Sequence, residues 1–174
     1  KGGHWPRGAI MRLHAQRGLN SAVMATSFFW GLKYLPLAEG MAISFIAPLI
    51  ALYLAAALLG ETIGRTALLA SALGLAGVLV IAAARLGRGE YDPKVAWGIA
   101  AILFSALTYA WNLILQRRQA QLAGPLEVAM FQAFFTGLFL LLAAPWLAAV
   151  PQGGAWAEIG GASVLAAISL MLIS

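Results

Sequence analysis

Cysteine is absent from this sequence of 174 residues, which excludes disulfide bonds and metal sites built on thiolates. Charged residues are almost as scarce, because Asp, Glu, Lys and Arg together make up 10% of the chain. Soluble domains contain about 25%. A chain this poor in charge has too few polar side chains to cover a soluble surface. The charges also avoid four windows altogether, namely residues 40–60, 66–84, 95–116 and 128–157.

The uncharged windows have the length of membrane-spanning helices. A helix needs about 20 predominantly apolar residues to cross about 30 Å of hydrocarbon, and the first three windows match that length. Strands are not indicated, since Ala, Leu and Gly dominate and period-two alternation is missing. We therefore predict an all-α fold, that of a polytopic helical membrane protein, with the lipid bilayer as its first partner.

Six helices follow from these windows and from the polar segments between them. Residues 1–17 carry four basic residues and both histidines, and are predicted to form a loop. A sixth helix would begin near Glu158 and is still apolar where the sequence stops, which predicts a fragment. The first five predicted helices are Gly18–Tyr34, Ala38–Gly60, Thr66–Ala84, Val95–Gln116 and Leu126–Ala148.

The basic residues predict an orientation. Seven Lys and Arg residues fall on the side of the N-terminal segment and four on the other side. Because Lys and Arg in short loops favour the cytoplasm, this segment is predicted to be cytoplasmic in a multi-pass protein of the bacterial inner (plasma) membrane. The net charge of +5 does not indicate nucleic-acid binding, since the basic residues occupy the gaps between spans.

A pattern of aromatic, proline and small residues runs from Phe29 to Ile81 and continues in the helix that opens with Trp97-Gly98. This pattern resembles the EamA-like transporters of the drug/metabolite transporter superfamily. The features that carry the resemblance are Tyr34-Leu35-Pro36-Leu37-Ala38, Ile43 to Pro48, Gly60-Glu61, and the pair Gly74 and Gly77 in a small-residue helix.

The resemblance implies an architecture and a function. That family has ten helices in two inverted five-helix repeats, so the chain would be a fragment of about six of them. Residues 1–84 would hold the last three helices of the first repeat with a cytoplasmic loop, 85–94 a periplasmic linker, and 95–174 the truncated second repeat. The implied function is a secondary transporter, an exporter or permease, of small organic metabolites, amino acids or drugs by alternating access.

The fourth predicted helix carries a polar face. A polar face is costly in lipid, so it should line a cavity for a small-molecule solute or hydrogen-bond to neighbouring helices. Trp111 lies beside this face and would stack on a substrate. The residues of the face, which share one side of the helix, are Ser105, Thr108, Tyr109, Asn112 and Gln116. We predict Ser105, Tyr109, Trp111 and Asn112 as substrate-binding residues.

The second predicted helix offers a parallel face with Ser44 and Pro48. Pro48 has no N–H, so it either frees a carbonyl for a substrate or makes a packing kink. Gln132 forms a weaker polar pair with Thr136 on the fifth helix. Ser44, Pro48 and Gln132 complete the predicted substrate-binding residues.

Lys33 and Glu39 flank the short turn between the first two predicted helices. Glu39 in the first turn of a helix would interact favourably with its dipole, and an exposed pair contributes little to stability. The alternative role for these two residues is gating of substrate entry.

Catalytic residues, metal sites and cofactors are not predicted. Intramembrane catalysis needs groups such as paired aspartates or a Ser/His pair, but both histidines precede the predicted spans and Asp92, the single Asp, lies in a loop. An intramembrane enzyme or a membrane assembly factor remains the alternative function. The small residues around Gly74 and Gly77 either pack within one protomer or form the face of a homodimer.

Overall fold

The computed structural model describes residues 8–60, 64–86 and 93–147, together with residues 160, 161 and 165. Between residues 8 and 147 the described backbone forms six α-helices and no strand. Most of the predicted sixth helix, from Glu158, therefore lies outside the described residues, as does Glu61. The helices are α1 (Ala9–Gly31), α2 (Leu37–Ser44), α3 (Ala47–Leu59), α4 (Arg65–Leu86), α5 (Pro93–Leu122) and α6 (Pro125–Leu147).

Three stretches of the described chain are long and apolar enough to cross a bilayer: Leu37–Leu58, Pro93–Leu122 and Pro125–Trp146. The first of them combines α2 with most of α3. Large apolar side chains also point outward, as Leu73 (76% exposed) and Phe134 (60% exposed) do. Such a surface is stable in lipid and unfavourable in water. The predicted all-α fold of a polytopic helical membrane protein is confirmed.

Helix α1 begins at Ala9, well before the predicted start at Gly18. The prediction that residues 9–17 form a loop is therefore wrong. It rested on the four basic residues and two histidines of residues 1–17, yet the side chains of His14 and Arg17 are buried between helices. Polar groups on α5 and α6 provide the hydrogen bonds that water would give in a loop.

The second predicted helix is divided in two. Helix α2 ends at Ser44 and α3 begins at Ala47, and the N–H groups of Phe45 and Ile46 donate to carbonyls three residues earlier. Pro48 lies in the first turn of α3, where a missing N–H costs least. The sequence predicts one helix that is kinked at Pro48, whereas the structure has two helices that are divided at Phe45 and Ile46, just before Pro48.

Helix α5 continues past the basic pair Arg117-Arg118 and ends at Leu122. Its 30 residues extend over about 45 Å, which exceeds the hydrocarbon thickness. Arg side chains near a helix end reach water while their stems stay on apolar surface, so the pair does not have to end the helix. Residues 93 and 122 consequently lie at opposite ends of the bundle.

Antiparallel packing of α1 along α5 is the main contact within residues 1–140. Gly31 meets Gly98 at one end of this contact, and His14 meets Gln119 at the other. A Cβ on Gly31 would lie 2.9 Å from the Gly98 carbonyl oxygen, so the two backbones approach as closely as glycine permits. Helices α2 and α3 also pack on α5.

Helix α6 packs on α1 through its first turns. The ring of Phe131 stacks on the His14 imidazole with centroids 4.9 Å apart, and Gly18 lies against the backbone of Phe135. The last turns of α6, from Leu141, belong to a second unit; they include Pro145 and end at Leu147.

Candidate functional site

A cavity of about 440 Å³ lies between α1, the junction of α2 and α3, and α5. Small-molecule sites occupy about 300–1,000 Å³, so the volume suits a small solute. Among the described residues that line it, none is Lys, Arg, His, Asp or Glu. Its apolar walls are built mainly by Met24, Phe28, Phe29, Met41 and Phe45.

Four of the predicted substrate-binding residues line this cavity. Ser44 and Pro48 come from either side of the break between α2 and α3, because that break faces α1 and α5. Ser105 and Tyr109 are one turn apart on α5 and face the same space. Residues from three parts of the sequence therefore meet where the helical ladder is interrupted.

The hydroxyl groups of the cavity are oriented by the backbone. Ser105 donates from Oγ to the Met24 carbonyl at 2.9 Å, which ties α5 to α1. Ser44 donates to the Gly40 carbonyl one turn earlier, also at 2.9 Å. Tyr109 is 42% exposed, so its ring borders the open part of the cavity. Both serine hydroxyls therefore present their oxygen lone pairs, not their protons, to a ligand.

The break also changes the backbone beside Ser44. In a regular helix the N–H of residue 48 would donate to the Ser44 carbonyl, but Pro48 has no N–H. The next two residues, Leu49 and Ile50, both donate to the Ile46 carbonyl at 3.1 Å. The Ser44 carbonyl thus lacks the donor that a regular helix supplies at residue 48.

Asn112 and Gln132 do not line the cavity and instead belong to a buried polar network between α1, α5 and α6. Both side-chain amides donate to Ser21 Oγ, Asn112 at 2.7 Å and Gln132 at 2.6 Å. Gln132 also donates to Thr136 Oγ1 at 3.0 Å. We define the polar network as His14, Arg17, Ser21, Asn112, Gln119, Glu127, Gln132 and Thr136.

Arg17 is the cation at the centre of the polar network and is 8% exposed. Its Nη1 donates to Gln119 Oε1 at 2.6 Å, and its Nε donates to Asn112 Oδ1 at 3.2 Å. These two hydrogen-bond partners of the buried charge are neutral amides of α5. The carboxylate of the network, Glu127, lies 3.3 Å from His14 Nε2 and is separated from Arg17 by His14 and Gln119.

The chain of hydrogen bonds from Arg17 through Gln119 indicates the tautomer of His14. Arg17 is a donor only, so Gln119 must turn its Oε1 toward Arg17 and its Nε2 toward His14 Nδ1, which is 2.8 Å away. His14 Nδ1 is then the acceptor, and the imidazole carries its proton on Nε2, facing Glu127 Oε1. Arg17 therefore determines the tautomer of His14 through Gln119.

The network contains one unsatisfied atom. Within the part of the chain that the structure describes, Gln132 Oε1 is buried and has no hydrogen-bond partner. Ser21 and Thr136 lie at only one end of the side-chain amide. Rotating the amide would therefore place Nε2, instead of Oε1, at the end that has no partner. Either orientation leaves one polar end of Gln132 unpaired.

Sequence reasoning missed His14, Arg17 and Gln119 because it placed all three outside the helices. The available signal was spacing: His14, Arg17 and Ser21 follow helical spacing on α1, so they share a face. On α5, Ser105, Asn112 and Gln119 repeat every seven residues, and this repeat becomes visible once the helix extends past Arg118. Gln116, which the predicted face included, is exposed.

Trp111 lies on another side of α5. It lines a separate groove with Asn20 and Arg118 and does not border the cavity. Lys33 lies exposed in the turn after α1, and Glu39 lies half-buried in the first turn of α2. Neither residue lines the cavity, although Lys33 follows the lining residue Phe29, and Glu39 precedes the lining residue Met41, closely in sequence.

Comparison with known proteins agrees with this geometry. No curated protein and no solved structure matches the chain. Residues 5–83 match the model of the EamA-like transporter family, a segment that includes α1, the interrupted α2–α3 helix and most of α4. This part of the multi-pass membrane protein is therefore similar to the EamA-like transporter family, which is consistent with a member of the drug/metabolite transporter superfamily.

Proposed function

We propose that this protein is a secondary transporter that moves small organic metabolites, amino acids or drugs by alternating access in the bacterial inner membrane. The observation that carries the proposal is the cavity of about 440 Å³ at a broken helix, within a chain matched to a transporter family. Broken helices present backbone groups to a solute at depths where lipid offers no hydrogen bonds. Ser44, Pro48, Ser105 and Tyr109 are the proposed substrate-binding residues.

Barriers at the two ends of the cavity are part of the proposal. The polar network fills the space between α1 and α5 beyond Tyr109, toward the start of α1. Asn112 and Gln132 are thus proposed to close the transport path at the end of the cavity that lies toward the start of α1. Lys33 and Glu39, which are close in sequence to the lining residues Phe29 and Met41, are proposed to gate entry at the other end.

The two-repeat organisation is proposed on the same basis. Residues 1–84 would form the end of one repeat, 85–94 the linker, and 95–174 the start of the next. The family match ends at residue 83, close to the end of α4, and α5 begins at Pro93, which supports these limits. A homodimer and the exclusion of nucleic acid stay predictions.

Filling the cavity should block transport. Ala25 lines it, so Ala25→Leu places extra carbon atoms in the space that a solute would occupy. A panel of amino acids and metabolites would first be screened for solutes that stabilise the purified intact protein against heat. The uptake of these solutes into proteoliposomes would then be measured. We expect the initial rate to fall at least about tenfold, the effect of losing about 1.4 kcal/mol of binding.

Ala100→Leu is the matched control, since Ala100 is exposed on α5 and lines a different groove with Trp30 and Trp97. It should transport at the unmodified rate. Equal rates for both variants, at equal protein yield, would refute the assignment of the cavity as the transport site.

The alternative of an intramembrane enzyme has less support. His14, the buried histidine of the described chain, bonds to Glu127 and Gln119 and to no serine, so the described residues offer no Ser/His pair.

Trp111 remains a substrate-binding prediction from sequence. Its position in the separate groove predicts that Trp111→Ala reduces uptake much less than Tyr109→Ala.

A further inference from the structure

We infer that the cavity selects solutes that have an apolar, aromatic body and an amine, and that it discriminates against carboxylates and phosphates. The inference rests on the proposed function and narrows the substrate class of the same site: it favours amines over free amino acids, which carry a carboxylate. This selectivity depends on which hydrogen-bond donors and acceptors of the cavity already have partners within the protein.

Donors are scarce in the cavity. Three hydroxyl side chains line it, and those of Ser44 and Ser105 give their protons to backbone carbonyls. Tyr109 supplies the remaining hydroxyl donor among the described lining residues. A carboxylate that entered would lose its water and find too few N–H or O–H groups to replace it.

The break between α2 and α3 does not add donors as an open helix N-terminus would. Phe45 (φ −63°, ψ −8°) and Ile46 (φ −67°, ψ −23°) stay in the right-handed helical region, so the chain turns continuously through the break. The N–H groups of Phe45 and Ile46 donate to carbonyls of α2, those of Leu49 and Ile50 donate to the Ile46 carbonyl, and Pro48 has no N–H. Few N–H groups at the positive end of α3 are therefore open to an anion.

Acceptors and aromatic faces are plentiful by comparison. Ser44 Oγ and Ser105 Oγ each keep lone pairs, and the Ser44 carbonyl receives no bond from Pro48. The rings of Phe28 and Phe45 lie in the same walls, and aromatic faces attract cations. An ammonium group has hydrogen-bond donors only, so it complements the unused hydrogen-bond acceptors of this cavity.

Three aromatic probes of similar size test the inference. Phenethylamine, 2-phenylethanol and 3-phenylpropanoate differ mainly in their polar group, which is cationic, neutral or anionic. Equilibrium binding to the purified intact protein in nanodiscs would be measured by titration calorimetry or by competition with a fluorescent amine. We expect phenethylamine to bind best and the carboxylate to bind at least about tenfold more weakly.

One variant should reverse part of this preference. Met41→Gln keeps the length of the side chain and adds an N–H₂ donor at the cavity wall. Binding of 3-phenylpropanoate should tighten by about tenfold, and the ratio between the amine and the acid should narrow. The control is Met130→Gln, because Met130 is exposed on α6 and does not line the cavity.

The outcomes separate the inference from the proposed function. Carboxylate binding as tight as amine binding, or no amine binding at all, overturns the inference. The proposed function still stands in that case if Ala25→Leu blocks uptake of another solute. If Ala25→Leu transports solute as fast as the control Ala100→Leu, the proposed function itself is overturned.

Discussion

Gly18→Ala should lower the melting temperature of the intact protein by about 6–12 °C, because it inserts a methyl group into the closest contact between α1 and α6. The added Cβ would overlap the Cβ of Phe135 and lie 3.0 Å from the Phe135 carbonyl carbon. It would also lie 3.1 Å from the Thr136 nitrogen, so two of these three atoms are backbone and cannot rotate away. Overpacking of this kind costs about 3 kcal/mol, which corresponds to that shift in a protein of this size.

Gly137→Ala is the control for this contact. It lies in α6 with no atom within 4 Å of the added Cβ, and alanine favours a helix over glycine by about 1 kcal/mol. Its melting temperature should therefore stay the same or rise. Differential scanning fluorimetry of the two purified variants measures both shifts, and equal stability for them would mean that α1 and α6 are not packed as described.

Gln119→Leu should destabilise the protein by at least about 3 kcal/mol, since it removes the partner of one nitrogen of a buried guanidinium and of one buried ring nitrogen. Gln119 is 1% exposed and holds Arg17 Nη1 on one side and His14 Nδ1 on the other. Arg17→Met should cost less, because it removes the buried charge together with the bonds. The double variant Arg17→Met/Gln119→Leu should be more stable than the sum of the two single changes predicts.

A double-mutant cycle measures this coupling, which we expect to lie between about 0.5 and 3 kcal/mol. Gln116→Leu serves as the control, since Gln116 is exposed on the same helix and an apolar side chain there should be tolerated. Strictly additive effects would show that Arg17 and Gln119 do not interact in the folded protein.

Part of the site could be predicted because its signals are local. Ser105 and Tyr109 share a helix face, and Pro48 lacks an N–H, so a polar face and a broken helix follow from the sequence alone. That these two features border one cavity is a tertiary fact, because α1 and α3 both pack on α5. Trp111 shows the converse: it is a neighbour of the polar face in sequence, but it opens to a different groove.

The apolar character of the long helices, their membrane environment and a disturbance of the helix at Pro48 were determined by the sequence. These properties depend on hydropathy, chain length and backbone chemistry, which act within one segment. The tertiary structure decided that His14 and Arg17 are buried in a helix and that Gln119 connects them. A charge is tolerated inside the bundle only where partners distant in sequence meet it, and hydropathy, which counts each residue by itself, does not contain that information.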